Sequence, residues 1–167
     1  MVINIGGCMA KTLVVYFSAS GITQNVAQKL AEAIGCDAYQ IKPKVPYTSA
    51  DLNWMDKNSR STLEMNDWNS RPEIVDDKID IDKYDTIFLG FPIWWYIAPT
   101  VVNTFLEKHD FSNKKIILFA TSGGSGFGGT VKNIRASVAD STEIIEGKLL
   151  NSNPSVEDLK KWVESIL

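Results

Sequence analysis

The sequence predicts an α/β fold, a doubly wound, five-stranded parallel sheet of order 2-1-3-4-5 with helices on both faces. Three observations carry this. Short apolar runs rich in β-branched and aromatic residues recur at residues 12–17, 86–91 and 115–120, and such runs suit strands covered on both faces. Between them lie stretches whose apolar residues recur at helical spacing. The length, 167 residues, fits one domain able to bury its own core.

Each element has a local reason. Residues 1–10 read as a flexible leader, with no basic start and too short an apolar stretch for a signal peptide. The domain is expected over residues 11–167, beginning with a strand at 12–17. Ile22, Val26, Leu30 and Ile34 then recur every four residues, with Ala27 and Ala31 beside them and Gly35 placed as a C-cap. Residues 38–42 alternate as a less buried second strand. Residues 43–72 form an insertion holding Pro43, Pro46 and Pro72, charges that cancel, and Tyr47, Trp54 and Trp68. Ser49 or Asp51 is placed to cap a helix running toward Met65. After the strand at 86–91, Pro99 opens a helix with Val101, Val102, Phe105 and Leu106 on its apolar face. The strand at 115–120 leads through a glycine-rich loop to a helix at 130–138 and a short strand at 143–146. Ser155 caps a final helix with Val156, Leu159, Trp162, Val163 and Ile166 on one side.

Composition excludes several classes. Seventeen Lys and Arg against twenty Asp and Glu give a net charge of −3, without the basic field a nucleic-acid binder needs. Residues 86–106 carry no charge, but Gly90, Pro92 and Pro99 break the run, so strand, turn and helix describe it better than a membrane span. Cys8 and Cys36 set no disulfide framework, and neither C-x-x-C nor more than one histidine is present, so no metal is expected. A cytoplasmic protein with reduced thiols is the default.

Three loops could carry chemistry. Ser18, Ser20 and Thr23 surround Gly21 and Ile22 between the first strand and first helix, where unpaired amides and a helix N-terminus favour a phosphate. No Lys or Arg occurs from residue 17 to 28, which argues against a nucleoside-triphosphatase loop; simple capping by Ser20 is the alternative. The second loop, Pro92, Ile93, Trp94, Trp95 and Tyr96, sets three aromatics side by side. Consecutive residues cannot all face the core, so a stacking platform for a flat ring is expected. The third loop holds Ser122, Gly123, Gly124, Ser125, Gly126, Phe127 and Gly128. Its glycines fit G-x-G-x-x-G, but that dinucleotide signature opens a βαβαβ half and only one strand remains. Close backbone approach to a ligand is the better use. In the predicted sheet these loops share one edge, and the first two flank the switch point.

The stretch 14–23 resembles the phosphate loop of flavodoxins, and residues 90–96 and 121–125 resemble that family's two flavin-ring loops. The resemblance covers residues 11–167 and implies non-covalent FMN. It implies that Ser18, Ser20 and Thr23, with the amides of Gly21 and Ile22, hold the phosphate. Residues 92–96 and 122–125 would flank the ring, with Gly126, Phe127 and Gly128 near its edge. Ile22 stands where the family usually has Asn, the 92–96 loop has no glycine, and −3 is far less acidic than many members. Two functions follow as expectations. One is an electron carrier between redox partner proteins. The other is an FMN-dependent NAD(P)H:quinone oxidoreductase whose Trp-bearing insertion roofs a pocket for a small quinone-like substrate. A receiver-type signalling domain needs acids after the first strand, and residues 17–24 hold none. No catalytic residue is assigned, and the sequence sets no oligomeric state.

Overall fold

The computed structural model describes residues 11–75, 79–122 and 126–167. The expected leader at 1–10 lies outside them. Strands β1 (Thr12–Tyr16), β2 (Asp37–Gln40), β3 (Thr86–Pro92), β4 (Lys115–Thr121) and β5 (Glu143–Leu149) form one sheet of order β2-β1-β3-β4-β5. Every neighbouring pair runs parallel. The fold class read from the sequence is therefore the observed one.

Alternation through the central strands divides the core into two layers. Leu13, Val15, Ile87 and Leu89 face one side, packed on helix α3 (Thr100–Lys108) through Val101, Val102 and Phe105. Val14, Tyr16, Phe88 and Phe119 face the other, packed on α1 (Ile22–Ile34) and α5 (Val156–Ile166). Gly90 is required at the centre, because a Cβ there would meet the Phe119 ring at 2.1 Å.

The helix ends follow their local chemistry. Gly35 closes α1 in the left-handed region at φ 79°, its amide donating to the Ala31 carbonyl at 2.8 Å. Ser155 and Asp158 form a capping box at the start of α5. Ser20 caps nothing: the N-cap position of α1 is Gly21, without a side-chain cap. Ile22 is 60% exposed, so the buried stripe of α1 begins at Thr23 and its apolar part at Val26.

Other boundaries move. The second strand ends at Gln40 and the helix α4 (Thr130–Arg135) is shorter than its apolar spacing implies. The last strand runs on to Leu149, through a register shift at Leu118/Phe119. Gly147 permits that irregularity, since a Cβ there would lie 2.0 Å from the Leu118 carbonyl oxygen. The uncharged stretch 86–106 resolves into β3, a turn and α3. Among the described residues no helix is long and apolar enough to cross a membrane.

The insertion leaves and returns at one place. The Val75 amide donates to the Lys42 carbonyl and the Lys44 amide to the Glu73 carbonyl, both at 2.8 Å. Within it, α2 (Arg60–Met65) is capped by Ser59, not by Ser49 or Asp51. Asp51 instead closes a turn, exchanging hydrogen bonds with Thr48 at 2.9 and 3.1 Å.

Candidate functional site

The loops after β1, β3 and β4 meet at the carboxyl edge of the sheet. Where β1 ends, the Phe17 amide donates to the Gly90 carbonyl at 2.9 Å. The chain then turns through Ser18 to Gly21, whose φ of 92° lies in the left-handed region. Ser18 Oγ accepts from the Gly21 amide at 3.0 Å and so shapes the loop. No side chain caps α1 and no acid sits in its first turn. The positive end of the helix is left facing a surface that carries the exposed Ser20, an arrangement suited to an anion. Thr23 lies deeper, 2% exposed, its hydroxyl 2.8 Å from that of Thr121. That pair ties the first turn of α1 to the end of β4. Ile22 offers its amide to this surface while its side chain stays in solvent.

Beyond β3 the site is aromatic. Pro92 pairs with Thr121, and the Ile93 amide donates to the Thr121 carbonyl at 2.9 Å. Trp94 and Ile97 exchange backbone hydrogen bonds at 3.0 and 3.1 Å. Between them Trp95 and Tyr96 sit at φ 50° and 67°. Two positive φ values inside a two-residue hairpin turn mark type I′, the turn that usually takes Asn-Gly. Each non-glycine residue there costs about 1–2 kcal/mol.

The glycine loop holds this strained turn. The Tyr96 carbonyl accepts from the Gly129 amide at 3.1 Å. Gly128, at φ 53°, backs the turn so closely that a Cβ would lie 2.6 Å from the Tyr96 carbonyl oxygen and 2.7 Å from its Cβ. Close approach is thus the use of this glycine, but toward the aromatic turn. Phe127 departs from the exposed position expected of it: it is 7% exposed and belongs to the core cluster that includes Val101, Val102 and Phe105 of α3, so its ring anchors the loop. Gly126 is exposed, and Ser122 is half-buried with its amide donating to Asn151 Oδ1 at 2.6 Å. Gly123, Gly124 and Ser125 lie outside the described residues.

Trp94 is supported from behind. Its ring meets Phe17 edge-on at 5.8 Å and Tyr47 of the insertion at 5.4 Å. The Tyr47 hydroxyl donates to Glu64 Oε1 at 2.5 Å. Burial, and then the Glu64 carboxylate, push the Tyr47 phenol far above its ordinary range. Arg60 stands 3.9 Å over the Tyr47 ring and donates to Glu64 and to the Val45 carbonyl at 2.9 and 2.7 Å.

Two clefts flank the Trp94 loop. One, about 310 Å³, opens between Pro92–Trp94 and Thr121–Ser122 and is also lined by Ser20, Ile22 and Asn151. None of its described lining residues is charged. The other lies between that loop and the insertion, lined in part by Leu52, Trp54 and Ser61. Asn151, Leu52, Trp54 and Ser61 are site residues that the sequence did not point to individually, and Asn153 joins Asn151, Ser20, Gly21 and Ile22 in a third cleft at the start of α1. Asn151 and Asn153 follow β5 at the same sheet edge as the other loops, which is the signal that could have found them. Nothing local places Trp54 beside Trp94.

The uncapped helix end, the neutral cleft and the aromatic wall agree with what family comparison finds. The model of the family described as flavodoxin matches residues 11–166. The chain belongs to the flavodoxin family. Among solved structures, it is similar to a Bacteroides eggerthii protein assigned as a flavoprotein, with 45% identity, 93% of this chain and 97% of that one covered, and a TM-score of 0.86. It is also similar to a Lactobacillus acidophilus flavoprotein solved in complex with FMN, at 25% identity, 92% and 98% coverage and a TM-score of 0.69. A curated relative, NAD(P)H dehydrogenase [quinone] 1 of Rattus norvegicus, is 24% identical over 134 residues. The chain spans about half the length of that relative, with 66% of this chain and 49% of that protein matched.

Proposed function

We propose that this flavodoxin binds FMN without a covalent link and carries electrons between redox partner proteins. One observation carries the cofactor assignment: a cleft whose described lining residues are all uncharged joins the uncapped start of α1 to an aromatic wall, at the switch point between β1 and β3. Ser20 and the amides of Gly21 and Ile22 would hold the phosphate. Trp94 and the backbone of Thr121 and Ser122 would border the ring. When bound, the flavin supplies reversible uptake of reducing equivalents. The chain's own contribution is to hold the ring against Trp94 and exclude water from one side. The described residues of the cleft add no fixed charge beside the ring.

A second reading, NAD(P)H-dependent reduction of a quinone, is favoured by the approach of Trp54 and Leu52 to the Trp94 loop and by the similarity to the rat enzyme. Stopped-flow mixing of the FMN-loaded protein with NAD(P)H separates the two. Slow reduction in the absence of another reductase is expected for the carrier, and rapid two-electron bleaching of the flavin would displace it. Titration with FMN tests the cofactor itself. Saturable one-to-one uptake with quenched flavin fluorescence is expected; no uptake would remove both readings.

A further inference from the structure

We infer that the second cleft, between the insertion and the turn at 94–97, is a binding site for a flat, uncharged aromatic molecule. The inference deepens the flavin reading and rests on it in one respect, that the cofactor ring takes the other side of the Trp94 loop, where β3 and β4 both contribute.

The cleft has a volume of about 500 Å³, within the range of small-molecule pockets. Its walls are aromatic on both sides. Trp54 comes from the insertion, and Trp94, Trp95 and Tyr96 come from the turn. None of its described lining residues is charged, so an ionic occupant would find no counter-charge among them and would lose hydration without compensation. Leu52 adds an apolar surface, and Ser61 brings a hydroxyl suited to a carbonyl or hydroxyl oxygen at a ring's edge.

The cleft is built, because both of its walls are fixed from outside. Trp54 and Tyr96 are 71% and 63% exposed, and flat aromatic surfaces held in water are relieved by stacking a further ring between them. The insertion cannot drift away from the turn easily. Tyr47 packs on Trp94, and the Glu64 and Arg60 network holds Tyr47. Ser61 is 2% exposed, and its amide donates to the Asp51 carbonyl at 3.0 Å. On the other side, Gly128 and Gly129 hold the strained turn that presents Trp95 and Tyr96.

The test is titration of the FMN-loaded protein with menadione, a neutral bicyclic quinone, without any reductant, followed by NMR of the tryptophan indole N–H signals. Saturable shifts at Trp54 and at Trp94 or Trp95 are expected. Trp54→Ala removes an exposed side chain and leaves the core intact; it should weaken menadione binding by about tenfold while FMN affinity stays the same. Absence of saturable shifts, or equal menadione affinity in Trp54→Ala, would overturn the site. Loss of FMN affinity in Trp54→Ala would also overturn it, by showing the cleft to be the flavin's own. A protein that takes up no FMN would remove the flavin reading alone, since the menadione shifts still decide whether the cleft binds.

Discussion

At the start of α1 the candidate site is made of backbone, whereas beyond β3 it is made of side chains held in strained backbone. The first end needs little support. Gly21 adopts its left-handed φ freely, Ser18 closes the turn, and the helix supplies amides aligned by its own hydrogen bonding. The second end needs support from two directions. Trp95 and Tyr96 occupy positive φ, Gly128 and Gly129 brace them from the β4 side, and Tyr47 braces Trp94 from the insertion. Anion recognition can be local because every helix start offers it. A ring platform has to be assembled from distant segments.

The sharpest way to break this contrast is Gly128→Ala. The new methyl would strike the Tyr96 backbone, so a loss of roughly 3 kcal/mol in stability is expected, together with weaker FMN binding; denaturant unfolding and an FMN titration measure both. If stability is unchanged, the glycine loop does not brace the turn. Ser20→Ala acts at the other end. It should weaken FMN by roughly 1–3 kcal/mol through loss of a hydrogen bond to a charged group and leave unfolding unaltered, since the exposed Ser20 caps no helix. Unchanged affinity would count against the phosphate assignment.

Replacing Trp95-Tyr96 with Asn-Gly should act on the turn, raising stability by about 1 kcal/mol in denaturant unfolding through relief of positive φ, while weakening menadione binding in the second cleft and leaving FMN affinity unchanged. A fall in stability would mean that the two aromatic rings contribute more by packing than the turn costs. The smallest effect concerns pH. The folded Tyr47 phenol titrates far above its unfolded value, so the folded state keeps a proton that the unfolded chain loses. Stability from this group is complete below the unfolded value, about pH 10, and falls as pH rises above it. Tyr47→Phe should make the alkaline decline shallower by one proton's worth of slope; an unaltered slope would show that burial and Glu64 do not restrain this phenol.

The same contrast explains what could be read without a fold. The turn that opens α1 was legible as a candidate phosphate loop because Ser18, Ser20, Gly21 and Thr23 lie close together in the chain and their position between strand and helix carries its own meaning. The aromatic run was legible as unusual, because three adjacent aromatics cannot all be buried. Phe127 was misread because glycines on both sides made it look like part of an exposed loop, while its ring in fact belongs to the core cluster that includes Val101, Val102 and Phe105. The cap of α2 was misplaced by eight or ten residues, from Asp51 or Ser49 to Ser59, for a related reason. Any nearby hydroxyl or carboxylate can cap, and the choice falls to whichever one the chain path brings to the amides.

By itself, the sequence determined the order of elements, the parallel sheet and the family, since these rest on periodicity and on contiguous motifs. Alternating apolar strands and helices leave few ways to bury both faces of a sheet. Only the tertiary structure decided the pairing of Thr23 with Thr121, the bracing of Tyr96 by Gly128, and the placement of Trp54 and Tyr47 against the Trp94 loop. Each of these joins residues far apart in the chain across a few ångströms. No local propensity encodes such distances; they follow from how the insertion and the β4 loop pack once the sheet has formed.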